Sequence, residues 1–374
     1  MLPYCESEFG NASSIHSFGR RAKKALEDAR EEVTRLIGPC ESVDIVFTSG
    51  GTESNNFAIK GAAHALKDKG RHIITSKIEH LSVLNVCEFL EENGYEVTYI
   101  PVDEYGVVDI GALKKTIRDG TILISIMSAN NEVGTIQPIE EITRIAHEKG
   151  ILFHTDAVQA VGKVPIDVEK MGIDLLSMSA HKICGPKGVG ALYINKKARI
   201  APFIHGGHHE RNRRAGTENI PGIVGFGKAC ELARKDMEKE SKRMSILRDR
   251  LWDGIRRDIS DVKMNGHPAK RLSNTLNVSF KYVEGESVLL NLDLKGIAAS
   301  SGSACTSGSL EPSHVLKAMG VDATVAKGSV RFSLGRTNAD ADIDRVIKET
   351  PPIIEKLRDM SPLYDIKKRV ESVE

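Results

Sequence analysis

Seven short apolar runs separated by helical patterns restrict this chain to one class of architecture. They are DIVFTS (44–49), HIITS (72–76), EVTYIPV (96–102), TILISIM (121–127), ILFHTD (151–156), DLLSMS (174–179) and VGALYIN (189–195). Between several of them lie helical patterns such as NNFAIKGAAHALKDKG (55–70) and IEEITRIAHEKG (139–150). Strands alternating with helices predict an α/β fold, with a large domain whose mostly parallel seven-stranded sheet is sandwiched by helices. At 374 residues the chain is long enough for a second domain. A long helical pattern from Ile220 to about Ile259, then LSNTLNVSF, a helix near EGESVLLNLD, and SVRFSLG predict a smaller α+β domain. The expected division is 1–238 and 239–374, with the first residues as candidates to pack against the small domain.

Charge and composition exclude several function classes. The chain has 52 basic and 51 acidic residues, a formal net charge of +1, so no global field favours nucleic acid or an anionic membrane. No apolar run approaches the roughly 18 residues of a membrane span. The opening MLPYCESEFGNASS lacks the apolar core of a signal peptide, and a soluble cytoplasmic protein is expected. The six cysteines, Cys5, Cys40, Cys87, Cys184, Cys230 and Cys305, form no CxxC pair, which points to reduced thiols and away from a disulfide framework or a cysteine zinc site.

Ligands of open parallel sheets bind beyond the carboxyl ends of the strands, so the residues just after each run belong together. After the first come Ser49, Gly50, Gly51 and Thr52 before a helix, which reads either as an ordinary capped start or as a phosphate cradle. Neither this spacing nor GPKGVG (185–190) fits the Walker or dinucleotide fingerprints. Glu79 and His80 follow the second run, Asn130, Asn131 and Glu132 the fourth, and the fifth ends in Asp156, followed by Gln159. The sixth ends in Ser179, His181 and Lys182, and a lysine so placed can lose its proton and bind a carbonyl covalently. A phosphate cradle, an aromatic base, an acid for a pyridine nitrogen and a Schiff-base lysine together describe a pyridoxal 5'-phosphate site, with no metal required.

The segments FTSGGTESNN, ITSKIEH, NNEVGTIQP, HTDAVQAVGK, SAHKICGPKGVGALY, HGGHHERNRRAGTENIPGIVG, LNVSFKYVEGES, ASSGSACTSGSLEPSHVL and VRFSLGRTN resemble the cysteine desulfurases of the NifS/IscS type. That family has the aspartate-aminotransferase fold of pyridoxal phosphate enzymes. The resemblance implies that Lys182 holds the cofactor covalently and moves protons, that Asp156 keeps its pyridine nitrogen protonated, and that Gln159 bonds its phenolic oxygen. It implies that His80 stacks on the ring and acts as acid or base, with Asn131 nearby. Gly51, Thr52, Ser179 and His181 are implied to bind the phosphate, and Thr217 to reach the phosphate of a neighbouring subunit in a homodimer. Arg331 becomes the candidate for the substrate carboxylate, a plain salt bridge being its alternative, and Asn11 is placed at the substrate. Cys305, in the serine- and glycine-rich SSGSACTSGSLEP, is implied to be the sulfur acceptor on a mobile loop. Its thiolate attacks the sulfur of L-cysteine, leaving a persulfide and alanine; an ordinary cysteine pKa of ~8.5 calls for local help, which His80 or a nearby cation can supply. The long form of this loop resembles the branch that passes sulfur to an IscU-like iron–sulfur scaffold protein, in whose complex Cys305 is a candidate cluster ligand. The tail LRDMSPLYDIKKRV resembles its docking segment.

Three departures from the family stand out. The usual opening strand, with a DNAATTP-like segment, has no counterpart, residue 1 aligning inside the first helix; a late start or a shortened chain would explain this, and a genuine absence would affect substrate binding and the small domain's first strand. Cys184 stands where tyrosine is usual, and His208 replaces a glycine, making with His205 and His209 a cluster that lacks a metal site's other ligands. Two alternative functions remain: a related pyridoxal phosphate enzyme such as a selenocysteine lyase or aminotransferase, and a weakly catalytic protein that binds partners.

Overall fold

The structure, a computed structural model, describes residues 1–301 and 312–371, the side chains of 367–371 excepted. Two compact units emerge. The first comprises Met1–Pro101, Val108–Ala129 and Gln137–Met237; the second takes Val102–Val107, Asn130–Ile136 and the chain from Glu238 onward.

The first unit is built on β1 (Ile45–Thr48), β2 (His72–Ser76), β3 (Glu96–Ile100), β4 (Thr121–Ser125), β5 (Leu152–Asp156), β6 (Leu175–Ser179) and β7 (Gly190–Ile194). Their order across the sheet is β1-β7-β6-β5-β4-β2-β3. The five strands from β6 to β3 run parallel, while β7 is antiparallel to both its neighbours. Strands β2, β4 and β6 are buried along their whole length, as strands covered on both faces must be; β3, at the edge, is half-exposed. Phe57, Ile59 and Leu66 of helix Gly51–Leu66 and Val83, Val86 and Leu90 of helix Leu81–Glu92 form one core with Ile73, Leu123, Leu175 and Leu192 of the sheet.

Register brings the functional edge together. Gly190, the first residue of β7, pairs with Thr48 at the end of β1 and with Ser179 at the end of β6, and Asp156 closes β5 opposite Ser177. The antiparallel β7 therefore turns the end of β1 to the same edge as the ends of β5 and β6. Gly190 has no alternative there, since a methyl group on it would stand 2.5 Å from the Met178 carbonyl oxygen and 2.7 Å from Gly50 Cα.

The second unit has a three-stranded antiparallel sheet, β8 (Val262–Asn265), β9 (Thr275–Phe280) and β10 (Ser329–Ser333), with β9 in the centre. Its core joins Leu276, Val278, Phe280, Val330 and Phe332 to Leu247, Leu251 and Ile255 from the later part of helix Ile220–Asp258 and to Ile343, Ile353 and Ile354 of helix Asp340–Asp359. Residues 130–136 are stitched in by backbone: Ile136 N donates to Lys270 O at 3.0 Å and Leu272 N to Gly134 O at 2.8 Å. Among the described residues no helix is long and apolar enough to cross a membrane.

Candidate active site

The turn after β1 leads straight into a helix start. Gly50 has φ +150°, which a side chain would resist, and the helix that starts at Gly51 presents first-turn amides that have no partner within the helix. Ser179 lies alongside, its Oγ 3.7 Å from the position a Cβ on Gly50 would take, and that hydroxyl is 2.9 Å from His181 Nδ1. Ser179 and His181 thus lie beside the turn that carries Gly51 and Thr52. Glu53 braces the turn from below: Ser49 N donates to it at 2.8 Å, and Arg214 grips both its oxygens at 2.8 and 3.1 Å. Burial raises the Glu53 pKa, but Arg214 and Ser49 outweigh it and hold the carboxylate ionised below its usual range.

Asp156 is buried at the end of β5, where Val158 N donates to Oδ1 at 3.0 Å and Asn55 Nδ2 to Oδ2 at 2.7 Å. Burial pushes its pKa up, against the opposing pull of these bonds and of its neighbours His80 and Lys182. Lys182 sits in the single turn Ala180–Ile183 directly after β6, and His80 caps helix Leu81–Glu92, its Nδ1 accepting from Ser82 N. Gln159 accepts Lys163 Nζ on its Oε1 at 3.0 Å, which leaves the Nε2 end of its amide as a donor. Beneath His80, Glu79 is fully buried; Ser76 Oγ at 2.6 Å and Met127 N at 3.0 Å donate to its Oε1. Burial, with Asp156 adding repulsion, pushes its carboxyl up to about 8.

The second unit holds Asn131 and Arg331, joined where Arg331 Nη1 donates to Asn131 O at 2.9 Å. Arg331 also exchanges backbone hydrogen bonds with Ser300, at 2.6 and 3.0 Å. Glu132 lies 2.5 Å from the hydroxyl of Ser313, which caps helix His314–Ala318; burial raises the Glu132 carboxyl to about 7, against the pull of Ser313 and Arg331. Cys305, between Ser300 and Ser313 in the sequence, lies outside the described residues.

Two candidates stand apart. Asn11 is exposed, its side-chain oxygen accepting from Ser13 N. Thr217 is exposed at the end of a loop in which Glu210, Arg211 and Asn212 all have positive φ. That loop is held by Arg30, which pairs with both oxygens of Glu210 at 2.8 Å in the buried interior. His208 contacts Asn212 Oδ1 at 2.5 Å and His209 accepts from Gly216 N, so both rings brace the loop; no cluster of three metal-ligating residues occurs among those described. Cys184 is exposed at φ +64°. Sequence reasoning passed over Asn55 and Arg214. Asn55 left a signal, a polar residue on the apolar side of a helical pattern, whereas the Arg214–Glu53 pair depends on a fold the local sequence does not encode.

A family model, aminotransferase class-V, matches residues 1–346. The chain is 58% identical over 363 residues to a protein of Methanosarcina thermophila named cysteine desulfurase IscS, covering 97% of this chain and 89% of that one. Among solved structures it is similar to a NifS-like protein at 40% identity and a TM-score of 0.89, covering 95% and 94% of the two chains. A second, SspA in complex with cysteine, matches at 39% identity and a TM-score of 0.78, with 89% and 92% covered.

Proposed function

The chain belongs to the class-V aminotransferase family, among its cysteine desulfurases, and from that premise we propose that Lys182, His80 and Cys305 carry the conversion of L-cysteine to L-alanine with pyridoxal 5'-phosphate as cofactor. The observation that carries the assignment is the shared edge of β1, β5 and β6, where Asp156 is buried with His80 and Lys182 close enough to act on its carboxyl group.

The residues fit the cofactor. Asp156 is a buried carboxylate held by neutral donors, a site that a protonated pyridine nitrogen would complete. The amides of Gly51 and Thr52, with Ser179 and His181, suit a phosphate. Gln159 offers its NH2 end to a phenolic oxygen. When bound, the cofactor supplies an electron sink for charge developed at the substrate's alpha carbon.

The chain's own residues do the rest. Lys182 anchors the cofactor and carries the alpha proton, Arg331 orients the substrate carboxylate through paired hydrogen bonds, and Asn131 and Asn11 assist near the substrate. Cys305 forms a sulfur–sulfur bond to the substrate as the carbon–sulfur bond breaks. The products are alanine and a Cys305 persulfide, so atoms and electrons balance without an outside oxidant. The outer sulfur of the persulfide then passes to an iron–sulfur scaffold protein, which returns Cys305 to its thiolate. Thr217 completes the phosphate site of a partner subunit in a homodimer, and the five described cysteines, all unpaired, accord with a reducing cytoplasm.

The test is to mix cofactor-loaded protein with L-cysteine and a thiol reductant and to quantify alanine and sulfide together. Equal amounts, dependent on Cys305, are expected. A loaded protein that yields neither product overturns the reading.

A further inference from the structure

A hydrogen-bond chain crosses the first unit from Asp156 to His80. Asn55 Nδ2 donates to Asp156 Oδ2 at 2.7 Å and to Ser82 Oγ at 2.8 Å. Ser82 Oγ lies 2.8 Å from His80 Nδ1, and the Ser82 backbone nitrogen lies 3.1 Å from the same atom. Chemistry fixes the direction of every hydrogen. A backbone amide only donates, so His80 Nδ1 must present its lone pair, and a neutral imidazole then carries its proton on Nε2. The two hydrogens of the Asn55 amide go one to each oxygen; the flipped amide would turn its carbonyl against the Asp156 carboxylate. With its oxygen accepting from Asn55, Ser82 sends its own hydrogen to the Nδ1 lone pair, which it shares with the amide.

We infer that Asn55 and Ser82 are positioning residues that lock His80 as the Nε2-protonated tautomer and tie its ring to the carboxylate of Asp156. His80 then offers a proton donor at Nε2 and no base at that atom, which divides the proton work: donation by His80, acceptance by Lys182. A second observation supports this. Asn55 is fully buried, and its Oδ1 has no hydrogen-bond partner among the described residues. A buried amide with an idle acceptor is costly, and a leucine would fill the space without that cost. Helix capping accounts for the contact of His80 with the Ser82 amide, but it does not account for Asn55, which sits on a different helix.

The inference rests on the placement of His80 proposed above, and its test separates the two. Full-length, cofactor-loaded protein labelled with 15N-histidine is studied by two-bond 1H–15N correlation. His80→Gln identifies the His80 signals among the twelve histidines. Wild type is expected to show an unprotonated Nδ1 and a protonated Nε2. Asn55→Leu, which removes a residue that does not bond to His80, is expected to shift the Nδ1 resonance. Ser82→Ala is expected to shift it too, and the double variant to shift it no further than Ser82→Ala alone, because both act along one path. A proton on Nδ1 in wild type, or an Asn55→Leu shift of full size in the Ser82→Ala background, overturns the chain; Asn55→Ala replaces Asn55→Leu if the latter does not fold. Wild-type turnover of L-cysteine is measured on the same samples. Lost coupling with turnover intact sinks the chain alone, and intact coupling without turnover sinks the proposed reaction while the chain stands.

Discussion

Lys182 gains its chemical meaning from neighbours that other strands deliver. Replacing it with alanine is expected to abolish the near-visible absorbance of cofactor-loaded protein and to lower sulfide production at least about a hundredfold; an unchanged spectrum would place the covalent link elsewhere. Cys305→Ala is expected to leave that spectrum intact and to stop sulfide release, so the two variants separate cofactor chemistry from sulfur transfer. Glu79 makes a different prediction, because its carboxyl is pushed from an ordinary 4.5 to about 8 by burial. Between those values the native protein keeps a proton that the unfolded chain has released. Stability is therefore fully present below the unfolded value and is lost as pH rises through 8. Every tenfold difference in proton affinity between the folded and unfolded chain is worth about 1.4 kcal/mol, so a loss of up to several kcal/mol is expected between about pH 5 and pH 8.5. Glu79→Gln removes this loss. Urea midpoints of both proteins at the two pH values provide the check, and parallel changes would mean that Glu79 is ionised in the native state.

At the scale of elements, the site is where strands end, and glycines decide how closely the ends approach. Gly190 and Gly51 differ in what they face. A methyl on Gly190 meets backbone of β6 and of the Gly50 turn, which cannot move singly, whereas the one close contact of a methyl on Gly51 is Val158 Cγ2, at 2.6 Å. Gly190→Ala is expected to cost about 1–3 kcal/mol, and Gly51→Ala about 0.5–1.5 kcal/mol through a displaced rotamer. Thermal melts of the two variants rank them, and an equal or reversed order would show that the β1–β7–β6 edge is more pliable than its geometry implies. The strands themselves were legible because each is an apolar run of the right length, and Asp156, Ser179 and Lys182 because they follow such runs directly. The antiparallel direction of β7 was not, since apolar content is blind to strand direction. Ser82 was passed over for a related reason: it looks like an ordinary polar helix residue until two helices stand side by side.

For the whole molecule, the expected boundary lies between residues 238 and 239, inside the long helical pattern from Ile220 to about Ile259 that bridges to a second unit. The two compact units change over between Met237 and Glu238, and residues 102–107 and 130–136 are grouped with the second as well. Residues 130–136 are tied in by hydrogen bonds between residues more than a hundred positions apart, which no local pattern records, and residues 102–107 join them where Thr135 Oγ1 donates to Tyr105 O at 2.6 Å. Asn277, fully buried in β9, donates to Glu132 O at 3.2 Å, and Arg271 donates to Val133 O at 3.2 Å and to Thr275 O at 3.1 Å. Burial lowers the Arg271 pKa to about 10, and its Nε and Nη1 have no hydrogen-bond partner among the described residues, so losing Val133 O would strip a cation that is already poorly satisfied. A fragment of residues 239–374 keeps the apolar core around Leu251, Phe280 and Ile354 yet exposes these polar groups without their partners. It is expected to retain helix by circular dichroism but to lack a cooperative thermal transition. A fragment joining residues 130–136 to the same stretch through a flexible linker is expected to regain part of that transition. Cooperative unfolding of the bare 239–374 fragment would show that the inserted segment decorates the second unit and does not hold it together.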